Sequence, residues 1–172
     1  MSIQLKNCIR DEDYVQFTLF FMRNRHEFSN QFTLSDALYH VLDTIQHSKV
    51  ILIFNQSDQV VGWGHYQYAS PGQEPDPQGE IVFINSVILL EEFRGSRAFF
   101  RGFRFLVNQI MEENRHVKQF QFYAQSENEY LNRLYAKFAD VIGEREGLYG
   151  HENIYSVDIL QLAAYLHLER AN

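Results

Sequence analysis

The stretch from Glu80 to Asn114, EIVFINSVILLEEFRGSRAFFRGFRFLVNQIMEEN, constrains the fold more than any other part of the chain. The apolar run over residues 81–90 has the length and β-branched content of a buried strand. A short acidic-then-basic turn, residues 91–96, follows it, and a helix is expected to open at about Arg97. A strand that feeds directly into a helix presents the helix's first unbonded N–H groups at the strand's end. Those donors, with the helix dipole, make an anion site. Arg94, Arg97, Arg101 and Arg104 sit there, and no acid occurs between Phe93 and Met111. The stretch reads as a phosphate-binding element, with the rest of the chain as its support.

The whole chain carries a formal net charge of −7, so the arginines are a local feature set against the global sign. That suits one small anion better than a polymer, and a protein this acidic is a poor general nucleic-acid binder. At 172 residues and 45% hydrophobic, the chain has material for the core of a single domain spanning residues 1–172. The single cysteine, Cys8, excludes an internal disulfide framework and a Cys-rich zinc site, and reads as core. The spacing of the seven histidines offers no metal site. No basic-then-apolar signal opens the chain, and no window approaches the roughly 18 apolar residues of a membrane span. A cytoplasmic protein with neither a membrane nor a nucleic-acid partner is expected.

Residues 3–9 alternate as a first strand. Asp11, Glu12 and Asp13 suit the first turn of a helix that Tyr14, Phe17, Phe20 and Phe21 continue. The polar patch over residues 23–31 reads as a loop or a frayed turn. Thr33 to Asp36 resembles a capping box, and Leu34, Leu38, Val41, Leu42 and Ile45 form one stripe of the helix it opens. Residues 49–54 and 60–69 read as a hairpin around the turn 55–59. Gly62 and Gly64 inside the second strand imply a bulge or the close approach of another group. Residues 70–79 hold all three prolines and form either a lip over a binding site or a plain surface loop.

In the helix after the turn, Phe99, Phe103, Leu106, Val107 and Ile110 are the expected core stripe. Residues 118–124 read as a strand with Phe120, Phe122 and Ala124 inward, and residues 128–138 as a short helix. Residues 141–149 and 154–159 form a closing hairpin, with turn chemistry from Gly147, Gly150 and Asn153. Residues 160–168 make a last amphipathic helix, whose Leu160, Leu162, Tyr165 and Leu166 offer an interface for a homodimer. The order is β-α-α-β-β-β-α-β-α-β-β-α. Strand-helix-strand units mixed with hairpins imply an α/β (α+β) fold: a mixed, mostly antiparallel central sheet of about seven strands with helices on both faces.

Two motifs resemble the GNAT superfamily of acyl-CoA N-acyltransferases. Val87 to Ser96, VILLEEFRGS, is similar to the family's strand ending in an acidic-aromatic-Arg-Gly turn before its pyrophosphate-binding helix. Asn128 to Phe138, NEYLNRLYAKF, resembles its Asn-to-Leu-Tyr-x-Lys helix. The resemblance implies a GNAT-like acyl-CoA N-acyltransferase fold with acetyl-CoA as cosubstrate. Backbone groups at Val87, Ile88 and Leu89 would hold the thioester and pantetheine. Arg94, Gly95, Ser96, Arg97, Ala98 and Phe99 would supply the amides for the pyrophosphate. Asn128 would contact the pantetheine, and Tyr135 would protonate the departing thiolate. At 97 and 99 the family favours small residues, glycine above all at the first, because glycine lets the backbone approach phosphates. Arg97 and Phe99 depart from that. Either an arginine side chain takes over the phosphate, since guanidinium forks match its geometry, or the site is weakened or repurposed.

Acyl transfer from a thioester to an amine needs the amine deprotonated, a donor for the oxyanion, and an acid for the thiolate. A backbone N–H near Leu89 is a candidate for the second. Tyr135 is the candidate for the third, or else a packed aromatic beside Leu131 and Phe138. The base is open. Asn85 and Ser86 stand where relatives place a carboxylate, which leaves Glu80, His65 or a base acting through water. Glu80 also reads as a solvated strand end, and His65 as a strand histidine bonded to a neighbour. Glu91 and Glu92 read as a turn pairing with Arg94. Trp63, Tyr66 and Tyr68 line an acceptor pocket or simply pack the core. The leading reading is transfer of an acetyl group from acetyl-CoA to a primary amine of a small molecule or protein. A non-catalytic GNAT-fold protein that binds CoA or a partner is the rival, and transfer of a longer acyl chain is a third reading.

Overall fold

The computed structural model describes residues 3–28, 32–94, 96–147 and 150–168, with the backbone alone at Phe28, Ser96, Arg97 and Ala98. The elements are β1 (Gln4–Asn7), α1 (Asp11–Phe28), α2 (Leu34–His47), β2 (Lys49–Phe54), β3 (Val60–Ala69), β4 (Ile81–Leu89), a 3-10 turn (Glu91–Phe93), α3 (Ser96–Glu113), β5 (Gln119–Gln125), α4 (Glu129–Tyr135), β6 (Asp140–Gly147), β7 (Gly150–Asp158) and α5 (Ile159–Tyr165). The strands form a seven-stranded sheet in the order β1-β2-β3-β4-β5-β7-β6, with helices on both faces. The sheet is mixed and mostly antiparallel. β4 and β5 run parallel, while β1–β2, β2–β3, β5–β7 and β6–β7 are antiparallel. The chain divides into two compact units, residues 1–67 with 86–105 and residues 68–85 with 106–172.

In the first unit, Asp13 fixes the start of α1. Its carboxylate accepts from the backbone N–H groups of Ile9 and Arg10 at 3.2 and 3.1 Å and is bonded by Lys6. The Lys6 hydrogen bond, aided by the Arg10 amide, holds this carboxyl at about 2. The helix runs on to Phe28, through the start of the polar patch read as a loop, whose residues 29–31 lie outside the described residues. A break at Asn24 (φ −110°, ψ 16°) explains the mixed sequence signal, and Asn24 Nδ2 donates to the Phe20 carbonyl there at 2.8 Å. At α2 the capping box is formed: Thr33 Oγ1 accepts from Asp36 N, and Asp36 Oδ2 accepts from Thr33 N.

The buried face of α2 differs from the leucine stripe. Ala37, Val41 and Thr44 face the core, while Leu34, Leu38 and Leu42 are 57%, 48% and 60% exposed. Helical spacing identifies a stripe but not which stripe meets the sheet, and here the small Ala37 lets α2 sit close. The core of this unit joins Cys8, Phe17, Phe20, Phe21, Phe32, Val41, Val50, Leu52 and Trp63. Both readings of the β3 glycines hold. The β2–β3 register shifts between Ile53 and Phe54. A Cβ at Gly62 would lie 2.5 Å from the Ile88 carbonyl oxygen, which only glycine tolerates.

In the second unit, β5 pairs in parallel with Ile81–Ile84 and antiparallel with β7. Phe120, Phe122 and Ala124 are buried as their alternation implied, and the Phe122 ring stacks on Tyr155 at 5.4 Å. The proline-rich loop folds back on its own strand. Asp76 N donates to Tyr68 O, Pro75 bridges Ala69, and the buried Asn114 donates from Nδ2 to Gly79 O at 3.1 Å. Two expectations are corrected. Asn153 lies within β7, paired with Glu144 of β6, rather than in the turn; residues 148 and 149 of that turn are outside the described set. In α5, Leu162 and Leu166 are buried, so of the four residues read as an interface only Leu160 and Tyr165 are exposed.

Candidate functional site

The strand-turn-helix forms as its sequence implied. β4's parallel ladder with β5 covers Ile81 to Ile84, and Asn85–Leu89 lie beyond it. Ile88 packs partly against the core, which aims Val87 outward at 48% exposure. The chain then tightens into the 3-10 turn, and α3 opens at Ser96 without an acid in its first turn. Leu90 N donates to Val61 O at 2.9 Å, tying the strand's end to β3. Gly95 lies outside the described residues, and Ser96, Arg97 and Ala98 are helical in backbone. The half-buried Phe99 ring stacks on Phe103 one turn along α3, with centroids 5.8 Å apart. The donor set thus fits an anionic group: helical backbone amides without a competing carboxylate.

Arg94 is engaged within the protein. Its Nε donates to the Leu89 carbonyl at 2.6 Å and its Nη2 to Glu27 Oε2 at 2.8 Å. The acid that pairs with Arg94 is therefore Glu27 of α1, not Glu91 or Glu92, which are exposed in the 3-10 turn. A guanidinium bridging the last strand carbonyl to another helix fixes the turn's conformation. Farther along α3, Arg101 is exposed and Arg104 half-buried.

On α4, Asn128 is the N-cap. Its Oδ1 accepts from Leu131 N at 3.0 Å, leaving its amide N–H groups for another partner. Tyr135 sits among Phe122, Tyr155 and Phe138, with centroids at 4.6, 5.5 and 6.1 Å. Burial, with the Tyr155 phenol adding to it, pushes its pKa up to about 12. Such a phenol stays protonated at neutral pH, the state a proton donor needs.

The two candidate bases are held by other groups. Glu80 Oε1 accepts from Lys118 Nζ at 2.7 Å, at the end of β4 opposite the turn. His65 is buried, with Nδ1 3.1 Å from Ser48 Oγ and its ring stacked on Trp63 at 5.2 Å. Burial, with His40 nearby adding to it, drives its pKa down to about 3, so it is neutral at pH 7. Trp63, Tyr66 and Tyr68 are buried and belong to the core rather than to an open pocket.

Asn132 was not singled out by the sequence. Its Nδ2 donates to the carbonyls of Gln125 and Asn128 at 2.8 Å each, and its Oδ1 accepts from Asn153 Nδ2 at 2.9 Å and from the Tyr155 hydroxyl at 2.6 Å. It fixes α4, and with it Tyr135, against β5 and β7. Its signal was the second Asn of the motif, at i+4 from Asn128.

No family model matches the sequence, and no curated protein matches it. Solved structures do. A ribosomal-protein-S5-alanine acetyltransferase from Vibrio fischeri superposes with a TM-score of 0.64 at 15% identity, over 92% of this chain and 93% of that one. The chain has a GNAT-like fold. An acetyltransferase of the GNAT family from Streptococcus pneumoniae matches with a TM-score of 0.63 at 10% identity, over 91% of this chain and 99% of that one. A ribosomal L7/L12 α-N-protein acetyltransferase in complex with coenzyme A matches with a TM-score of 0.64 at 14% identity, over 92% and 94%. Within this GNAT-like fold, the end of β4 and the turn into α3 carry the first sequence motif, and α4 carries the second.

Proposed function

We propose that the chain is an N-acyltransferase that moves an acetyl group from acetyl-CoA to a primary amine of a small molecule or a protein. The observation that carries this reading is the end of β4. Its last five residues extend past the parallel ladder, and they lead into a helix whose first turn has no acid. In this reading the backbone of Val87, Ile88 and Leu89 holds the pantetheine and thioester, and the first amides of α3, with an arginine at 97 in place of glycine, hold the pyrophosphate. Asn128 contributes its free amide hydrogens to the pantetheine. Likeness to a coenzyme A complex of a ribosomal L7/L12 acetyltransferase supports the choice of donor. The chain's net charge of −7 favours cationic acceptors.

The chemistry assigned to this chain's residues is modest. The amine nitrogen attacks the thioester carbonyl, and the Leu89 N–H donates to the oxygen as charge builds on it. As the C–S bond breaks, Tyr135 gives its proton to sulfur. The nitrogen loses its proton to water, because His65 is a weak base in its buried setting and Glu80 is paired with Lys118. That same pairing of both candidate bases favours a second reading, a non-catalytic protein of the same fold that binds CoA or a partner.

Calorimetric titration with acetyl-CoA, followed by thiol release over a panel of amines, separates the two. Binding with amine-dependent release supports the enzyme. Binding without release across the panel supports the second reading, and no binding at millimolar acetyl-CoA removes the enzyme and leaves the second reading only its partner-binding form.

A further inference from the structure

The outer flank of the α1–α2 pair is apolar and exposed. On α2, Leu34, Leu38 and Leu42 follow one another at i, i+4 and are 57%, 48% and 60% exposed, and the half-buried Ile45 follows Leu42 at i+3 on the same side. On α1, Val15 and Leu19, again at i, i+4, are 56% and 49% exposed. Between the helices lies a shallow groove of about 390 Å³ lined by Asp11, Tyr14, Val15, Thr18, Leu19 and Ile45. On the α2 side Ile45 lines the groove and the leucine row lies on the same flank of the helix beyond it, while Val15 and Leu19 belong to its α1 side. The leucine row of α2 holds no charged residue, and the α1 row is bounded at the same spacing by Asp11, which lines the groove, and by Arg23. An isolated exposed leucine is ordinary, but two aligned rows flanking a groove are a patch that soluble proteins rarely leave bare.

The core does not account for the rows. α2 already buries Ala37, Val41 and Thr44, and α1 buries Phe17, Phe20 and Phe21. We propose that this flank is the interface of a homodimer, in which the α1–α2 pair of one copy packs on that of a second copy across a two-fold axis as a four-helix arrangement. The area fits a second copy. The exposed parts of Val15, Leu19, Leu34, Leu38, Leu42 and the 76%-exposed Tyr39 amount to on the order of 700 Å², close to the roughly 800 Å² that each partner gives a standard interface. A two-fold contact also needs a self-complementary surface, and two ridges bounding a groove supply one: a ridge of one copy seats in the groove of the other. An exposed row at i, i+4 spacing is the ridge that such helix packing uses.

The test is sedimentation velocity on the full chain from 1 to 100 µM, beside the double variant Leu38→Glu, Leu42→Glu. Both positions are exposed, so the variant is expected to keep the wild-type circular dichroism and melting temperature. The wild type should sediment at twice its 20.4 kDa mass within this range. The variant should remain monomeric throughout, a weakening of at least about 100-fold. A wild type that stays monomeric at 100 µM overturns the proposal, even if the groove then binds an amphipathic peptide. A variant that dimerises as well as the wild type overturns it too, because the contact then lies elsewhere, such as on Leu160 and Tyr165 of α5. Should the variant not fold, Val15→Ser with Leu19→Ser applies the same criterion from α1.

Discussion

Arg94 donates from Nε to the carbonyl oxygen of Leu89 at 2.6 Å. The last carbonyl of the organising strand is thereby taken by the first arginine of the turn, and the same guanidinium reaches Glu27 of α1. Both charged partners are more than a third exposed, so the ion pair itself contributes little, about 0–1 kcal/mol. The bond to the carbonyl is worth more. Arg94→Ala is expected to lower stability by about 1–2 kcal/mol and Glu27→Gln by less than about 1 kcal/mol, read from urea unfolding. Because Arg94 acts on the turn rather than on a phosphate, Arg94→Ala should weaken binding of coenzyme A and of pantetheine by the same factor. A loss confined to coenzyme A would assign the guanidinium to phosphate instead.

His65 makes stability depend on pH, and between pH 7 and 5 it does so clear of the lowered carboxyls of Asp13 and Asp36. Its pKa is about 3 in the fold, against an ordinary value of 6.5. Below 6.5 the unfolded chain takes up a proton that the buried ring refuses, so stability falls as pH drops towards 3, by about 1.4 kcal/mol per pH unit. Between pH 7 and 5 this amounts to about 2 kcal/mol. Asp13 and Asp36 do not enter between pH 7 and 5, because the stability from each lowered carboxyl is lost only as pH falls below its ordinary 3.8. His40, also lowered by burial, adds in the same direction. Urea unfolding at pH 7 and 5 should show the drop in the wild type, and His65→Phe should keep only the part due to His40. An equal drop in both proteins would mean that His65 is not the titrating group.

What the sequence disclosed is what local physics controls. The capping box at Thr33 and the strand limits of β2 and β3 follow from neighbours in the chain, and a glycine inside a strand pattern flags the close approach at Gly62 without naming Ile88 as the group that approaches. So does the strand-turn-helix. What it withheld depends on partners brought together only by folding. Glu27 and Arg94 are 67 positions apart. Asn132 meets Asn153 and Tyr155 only once β7 is laid beside β5. Lys118 reaches Glu80 because their strands run parallel. The leucines of α2 misled for a related reason: periodicity finds a stripe, and only the packed sheet decides which stripe it buries.

Gly62 gives the sharpest steric test. The Cβ of Gly62→Ala would lie 2.5 Å from the Ile88 carbonyl oxygen and 2.8 Å from Leu89 Cδ1. The first is backbone of a central strand and cannot yield cheaply. Gly62→Ala should cost about 2–4 kcal/mol. Gly64→Ala, whose nearest neighbour is the Val87 side chain at 3.2 Å, should cost clearly less. Thermal melts of the two variants should therefore separate by several degrees, and equal melting temperatures would mean that β4 shifts to admit the methyl.

Asn132 serves five partners with one amide, so its loss should not be additive with theirs. Asn132→Ala takes away the acceptor of the Tyr155 hydroxyl and of Asn153 Nδ2 and the side-chain donor to the Ser126 carbonyl, while the Gln125 and Asn128 carbonyls keep their backbone donors, Asn128 N and Asn132 N. A cost of about 2–4 kcal/mol is expected, against about 1 for Tyr155→Phe. The double-mutant cycle should give a coupling of about 1 kcal/mol. A coupling near zero would show that the 2.6 Å contact carries no weight.

Tyr135 connects this packing to the proposed chemistry. With its pKa near 12, the phenol remains a donor across the whole range in which an amine loses its proton. The rate of acetyl transfer should therefore rise with pH as the acceptor amine deprotonates, and no fall from Tyr135 should occur below about pH 11. Tyr135→Phe keeps the ring contacts with Phe122 and Tyr155 and removes only the proton, so acetyl-CoA affinity should hold while turnover drops by about 10²-fold. Because the same group also favours the fold only while neutral, stability due to it persists below pH 10 and declines as pH rises towards 12. Steady-state rates and calorimetry on the same preparation check both halves. Unchanged turnover in the phenylalanine variant would leave Tyr135 as packing alone and require another source for the thiolate's proton.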